Sequence, residues 1–149
     1  MMRVLGIDFG ERRIGLALSD PTGTLASPLP TLKRRAGKRP PITALIGMIQ
    51  DNEVEALVLG LPLTLKGEES DWTRLIRDVG DALHARTGLP LYYMDERFTS
   101  VRAERAVRSI GLPKRKREEK ERVDAAAAIL ILQSWLDERS RQEIQTGEK

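Results

Sequence analysis

The run Val4-Leu5-Gly6-Ile7-Asp8-Phe9-Gly10 constrains this chain more than any other stretch. Its length and its Val, Leu and Ile content fit a strand buried on both faces, which belongs at the centre of a sheet. It ends on an acid. An ionised carboxylate is costly to bury unless it is paired, hydrogen-bonded or bound to a cation, so Asp8 needs partners. Two other stretches offer them, Met94-Asp95-Glu96-Arg97 and Arg122-Val123-Asp124-Ala125. The three read as one site.

The pattern around that strand defines an α/β domain. Arg3 to Phe9 is followed by the short turn Gly10-Glu11-Arg12-Arg13 and a second apolar run, Ile14 to Ser19, which is a hairpin signal. Asp20-Pro21-Thr22-Gly23 turns the chain again into a third strand, Thr24 to Leu32, whose Pro28 and Pro30 confine it to a sheet edge. A helix follows over Ile42 to Asp51, then a buried strand, Glu55 to Leu61, closed by Pro62. Ser70 is an N-cap for a helix from Asp71 to Ala85, with Gly88 just past its end, and Leu89 to Met94 is the fifth strand. A further helix starts at Thr99 or Ser100 and stops at Ile110, before Gly111 and Pro113. The last helix runs from about Glu118 to about Arg139, making 1–139 one domain and leaving 140–149 as a disordered tail. At 149 residues no second domain is expected.

Three acids at strand ends and on a helix can converge at the carboxyl edge of such a sheet, where α/β sites lie. Pushed together, they would take up protons unless divalent cations held them ionised. Hard oxygen donors with no His or Cys beside them select Mg²⁺ or Mn²⁺, and a pair of such ions supports phosphodiester cleavage. The chain has no cysteine, and its one histidine, His84, falls mid-helix and is expected to face solvent. From Val123 to Leu132 the last helix is almost wholly apolar; its spacing puts Asp124, Ala127, Ala128, Ile131 and Trp135 on one stripe, and the alanines permit close approach to the sheet. Strand alternation sends Asp95 and Glu96 to opposite faces, one to the site and one to an Arg or loop amides. Spacing does not choose between them.

These residues resemble the YqgF/RuvX family of the RNase H-like fold, described as Holliday junction resolvases and as pre-16S ribosomal RNA nucleases. The resemblance rests on Gly6-Ile7-Asp8-Phe9-Gly10 with Arg13-Ile14-Gly15-Leu16-Ala17, on Leu59-Gly60-Leu61-Pro62-Leu63, on Asp95-Glu96-Arg97-Phe98-Thr99-Ser100, and on Val123-Asp124-Ala125-Ala126-Ala127 with Ile131-Leu132-Gln133. It implies a five-stranded mixed sheet of order 3-2-1-4-5, strand 2 antiparallel, flanked by helices. It also implies that Asp8, Glu96 and Asp124 are the catalytic acids and hold one or two Mg²⁺ or Mn²⁺ ions. Resolvases of this fold carry a second acid one turn along the terminal helix, where this chain has Ala127 and Ala128. That departure points to a weaker or absent second metal.

Grouped basic residues supply the partner. Arg12 and Arg13, Lys33, Arg34 and Arg35, Lys66, Arg97, and Lys114, Arg115, Lys116 and Arg117 fall in loops or at element ends, and their charge favours salt-dependent, sequence-blind phosphate binding. The loop Pro62 to Glu69 is placed to touch a phosphate or sugar. The expected activity is a metal-dependent endonuclease on structured nucleic acid, processing the 5′ end of pre-16S ribosomal RNA within ribosomal precursor particles. The alternatives are a Holliday junction resolvase acting on branched DNA, and a non-catalytic nucleic-acid-binding factor in ribosome assembly or transcription. An ATP-binding reading fails on length, because nucleotide-clasping proteins of this fold use two copies of it. With no leader and no membrane-length apolar run, a cytoplasmic protein without membrane contact is expected. With its exposed strand edge broken by Pro28 and Pro30, a monomer or weak homodimer is expected.

Overall fold

The computed structural model describes residues 2–34, 39–99 and 117–146, with only the backbone described at 98, 117–124 and 143–146. Five strands, β1 (Val4–Phe9), β2 (Arg13–Ser19), β3 (Ala26–Lys33), β4 (Ala56–Leu61) and β5 (Leu91–Asp95), form one sheet in the order β3-β2-β1-β4-β5. β2 is antiparallel to β1 and to β3, whereas β4 is parallel to β1 and to β5. This is the order and direction the resemblance implied. β1 is central, and all six of its residues are buried.

Helices α1 (Ile42–Asp51) and α2 (Asp71–Thr87) cover one face of the sheet and α3 (Arg117–Thr146) covers the other. The α1/α2 face is built from large apolar side chains of alternate strand positions: Leu5, Ile7 and Phe9 of β1 with Leu57, Leu59 and Leu61 of β4. Fully burying each contributes on the order of 1.5–3 kcal/mol. α2 starts at Ser70, whose hydroxyl accepts from the Thr73 amide at 3.2 Å while Thr73 Oγ1 accepts from the Ser70 amide at 2.7 Å. It ends at Gly88, whose φ of 72° is the left-handed conformation that glycine adopts without strain.

The α3 face is built from small residues. Gly6 of β1 and Gly60 of β4 lie under Ala128, Ile131 and Leu132: a Cβ on Gly6 would stand 2.7 Å from Leu132 Cβ, and one on Gly60 would strike the Ile131 side chain. The helix is thus drawn in to backbone distance. Gln133 pins it to β3, accepting from the Ala26 amide at 3.0 Å and donating to the Thr24 carbonyl at 2.9 Å.

Two expectations are corrected. α3 does not stop near Arg139 but continues to Thr146, because Glu138, Arg139, Arg141, Gln142 and Glu143 all favour a helix and no glycine interrupts them before Gly147. The sheet also has a second edge: among the described residues β5 pairs only with β4. β3 is the edge the prolines predicted, and its register shifts between Ile14 and Leu16 of β2, where β3 carries Pro30. The expected helix ending at Ile110 lies outside the described residues.

Candidate active site at the carboxyl edge of the sheet

Asp8 follows directly on the β1–β4 pair Ile7↔Leu59, which brings it beside Gly60. Alternation puts its side chain on the α3 face with Val4 and Gly6, and it is only 6% exposed. The chain then turns sharply: the Gly10 amide donates to the Arg13 carbonyl at 2.9 Å, and a Cβ on Gly10 would collide with that same oxygen. A glycine is required here for close approach, and the tight turn ends β1 at Phe9, one residue past the acid.

Glu96 reaches the same place from β5. Gly60 pairs with Met94, Leu61 with Asp95, and a single 3₁₀ turn, Glu96–Phe98, follows at once. Glu96 is 2% exposed, and its Oε2 lies 3.2 Å from where a Cβ on Gly60 would stand. The carboxylate therefore occupies the space that glycine leaves open, alongside Ile131 of α3.

Asp95 takes the other role that alternation allowed. Its Oδ1 accepts from the Arg97 amide at 2.9 Å, capping the turn that carries Glu96, and its Oδ2 accepts from Arg97 Nε at 3.0 Å and Nη2 at 2.6 Å. These bonds hold the Arg97 guanidinium protonated beyond its ordinary range. Nη1 of the same group donates to the Leu65 carbonyl at 3.3 Å. Gly67, at φ 82°, lies against that guanidinium, where a Cβ would stand 3.0 Å from Nη1. The Asp95–Arg97 pair thus ties the loop after β4 to the turn that aims Glu96. Sequence reasoning grouped Arg97 with phosphate-binding residues and missed this link, although the glycine at 67 was its one local sign.

Asp124 lies in α3, and only its backbone is described. One helical turn spans about 5.4 Å and two strand residues about 6.6 Å, so the step from Ala128 to Asp124 matches the step from Gly6 to Asp8. The directions agree as well, because the other half of α3 runs back to Thr24 through Gln133 and to Met2 through Arg139. Among the described residues no group of three or more His, Cys, Asp or Glu could hold a metal ion. Asp8 and Glu96 are nonetheless two buried hard-oxygen donors at one glycine, with the only histidine exposed on α2, its Nδ1 2.7 Å from the Leu89 carbonyl. Carboxylate oxygens with no imidazole or thiolate beside them suit a hard divalent cation.

The basic residues divide. Arg12, Lys33 and Lys66 are exposed and Arg13 is half-buried, with Arg13 and Lys33 directly opposite each other in the β2–β3 ladder. Arg34 instead folds inward: its Nη1 donates to the Gly10 carbonyl at 3.2 Å and its guanidinium lies 4.6 Å from the Phe9 ring centroid. It braces the turn behind Asp8. Arg35, Lys114, Arg115 and Lys116 lie outside the described residues, and of Arg117 only the backbone is described.

A family model described as RuvX: Holliday junction resolvase matches residues 2–138. A protein of Koribacter versatilis named "Putative pre-16S rRNA nuclease" is 45% identical over 137 residues, which cover 92% of this chain and 88% of that one. A protein of Roseiflexus sp. with the same name is 42% identical over 135 residues, covering 91% of this chain and 94% of its own. Among solved structures, Thermus thermophilus RuvC in complex with Holliday junction substrate superposes with a TM-score of 0.57 at 17% identity, covering 94% of this chain and 97% of that chain. At that identity the likeness shows the fold alone, which is RNase H-like.

Proposed function

Because this chain belongs to the RuvX family of Holliday junction resolvases, we propose that it is a nuclease whose substrate is the precursor of 16S ribosomal RNA and whose reaction centre is Asp8, Glu96 and Asp124. The observation that carries the reading is the pair of buried carboxylates beside Gly60, Asp8 at 6% and Glu96 at 2% exposure, at the carboxyl edge of the sheet. These two are held on a face otherwise made of apolar and small side chains.

Bound Mg²⁺ or Mn²⁺ would supply charge neutralisation at the cut phosphodiester and an attacking water of lowered pKa. The chain's own residues do the positioning. Asp8 is fixed by the central strand and by the Gly10 turn that Arg34 braces; Glu96 is fixed by the 3₁₀ turn that Asp95 caps. Asp124, with Ala127 and Ala128 behind it, contributes from a helix whose close seating leaves little room for bulk water. Burial means that Asp8 and Glu96 need no reorganisation when the substrate arrives, which is where electrostatic catalysis gains most.

Arg12, Arg13, Lys33 and Lys66 serve the phosphate backbone on either side, joined by Lys114, Arg115 and Lys116 and by Arg117 at the start of α3. Like charges opposite each other in a ladder, as Arg13 and Lys33 are, disfavour the sheet by themselves and fit a surface that meets polyanions. The protein acts in the cytoplasm, on ribosomal precursor particles, as a monomer or weak dimer, since trimming one RNA end needs one active site.

Labelled precursor RNA and a four-way DNA junction, incubated side by side with Mg²⁺, Mn²⁺ or chelator and with Asp8→Asn as control, test the reading. Metal-dependent cutting of the RNA that Asp8→Asn abolishes is the expected result. The family description favours a second reading, junction resolution, which predicts symmetric cuts in the junction by a tight dimer and intact RNA. Binding without turnover in any metal would leave a non-catalytic assembly factor.

A further inference from the structure

Away from the carboxylates, between β5 and the second half of α3, lies a cavity of about 420 Å³ lined by Tyr92, Met94, Trp135, Glu138, Arg139 and Gln142. Nothing in the proposed reaction uses it. Tyr92 is 39% exposed, one of the few large hydrophobic side chains left open to solvent among the described residues. Its ring centroid is 5.0 Å from that of Trp135, and the Arg139 guanidinium lies 5.1 Å over the Trp135 ring. An open ring on an aromatic pair that also carries a cation is a surface for stacking a flat, electron-rich group. Glu138 accepts hydrogen bonds and Gln142 both donates and accepts, the two abilities needed at the edge of a base.

The cavity also stands at a useful distance from the reaction centre. Tyr92 pairs with Val58 and Val58 with Gly6, and Asp8 is two residues beyond Gly6 on the same side of the sheet. Two strand spacings and two residue steps put the backbones of Tyr92 and Asp8 on the order of 12 Å apart. A few nucleotides of single strand cover that span.

We propose that this cavity seats one unpaired base of the substrate's single-stranded flank, stacked on Tyr92 and hydrogen-bonded by Gln142 and Glu138, with Arg139 near the adjoining phosphate. The inference rests on the reading of the chain as a nuclease on structured RNA and adds where the substrate is gripped beside the cut. Single-stranded recognition of this kind uses stacking that duplexes cannot offer.

Trp135 is one of only two tryptophans, so its fluorescence reports on the cavity once Trp72 is replaced. In a Trp72→Phe background, titration with a single-stranded oligoribonucleotide should quench Trp135 to saturation, and an oligodeoxyribonucleotide arm shows whether the seat also takes DNA. Tyr92→Leu should weaken binding about tenfold. Tyr92→Phe should restore it, which separates lost stacking from a damaged fold. Arg139→Gln should lower the slope of log affinity against log salt by about one. Absent quenching, equal affinity for a fully paired duplex, or unchanged affinity in Tyr92→Leu would overturn the proposal. So would a dimer that Tyr92→Leu dissociates, since a second copy of the chain would then fill the cavity. Cleavage is scored separately: quenching without cleavage by any protein defeats the nuclease reading alone, and cleavage without quenching defeats the base seat alone.

Discussion

The two faces of the sheet are built on opposite principles. Under α1 and α2, Leu5, Ile7, Phe9, Leu57 and Leu59 fill the space with volume, and the only polar group on their scale that is fully buried in α2 is Thr73, satisfied by the Ser70 cap. Under α3, Gly6, Gly60, Ala17, Ala56, Ala127 and Ala128 remove volume so that backbone approaches backbone. Asp8 and Glu96 are on the second face. One face stabilises the domain, and the other holds carboxylates in place at a cost to stability that the first offsets.

The largest effect that would break this contrast is an exchange of roles. Asp8→Asn and Glu96→Gln should each lower cleavage of labelled precursor RNA by at least about a hundredfold while leaving the fold intact. Circular dichroism in chelator should show both variants folded, because each exchange conserves side-chain volume. Leu57→Ala should do the reverse, costing about 2–5 kcal/mol in urea unfolding with cleavage per folded molecule near wild type. A Glu96→Gln protein that cuts normally beside an inactive Asp95→Asn would reassign the acids.

Glycine substitutions sharpen the same contrast with opposite signs. Gly6→Ala puts a Cβ 2.7 Å from Leu132 Cβ, and overpacking of that kind costs about 1–3 kcal/mol. Gly47, inside α1, has nothing within 4 Å of an added Cβ, so Gly47→Ala should stabilise by about 0.5–1 kcal/mol through helix propensity. Urea midpoints of the two variants check both signs.

A smaller effect is expected at the link between the site and its loop. Asp95→Asn leaves a cap for the 3₁₀ turn but removes the charge that holds Arg97, and with it the grip on the Leu65 carbonyl. Activity should fall about tenfold, as for groups that orient metal ligands. KM should rise with it if the loop bearing Lys66 touches substrate. An unchanged KM with lowered kcat would confine the pair to aiming Glu96.

The legibility of these parts in the sequence follows their physics. Period-2 and period-3.6 patterns, Pro28 and Pro30, the Ser70 cap and Gly88 are local signals, and the meander, the edge strand and both covering helices follow from them. The extension of α3 was missed because its last part carries no apolar stripe, only helix-favouring polar residues. Within the candidate site, alternation separates Asp95 from Glu96 but gives no sign of which faces α3; that depends on the register Gly60↔Met94, a long-range fact. Arg34 and Arg97 group with the phosphate-binding residues in the sequence because it shows charge and not the Phe9 ring or Leu65 carbonyl that the guanidinium meets. Gln133 directly follows the apolar stretch Val123 to Leu132, and its bond to the edge strand is a long-range fact that needed the fold.

The smallest prediction sets an exposed acid against the buried ones. Glu69, ahead of α2, accepts from Arg77 Nε at 2.8 Å and Nη2 at 2.9 Å, and these bonds, countered only by slight desolvation, hold its carboxyl below the usual value of 4.5. A depressed carboxylate contributes stability that is complete above its unfolded pKa and is lost as pH falls through its folded pKa. Wild type should therefore exceed Glu69→Gln slightly in urea midpoint at neutral pH, and the gap should close as pH falls through the folded pKa. Salt should narrow it too, because both groups are solvated. Asp8→Asn should act on cleavage instead, and a Glu69→Gln gap that neither acid nor salt narrows would break the contrast.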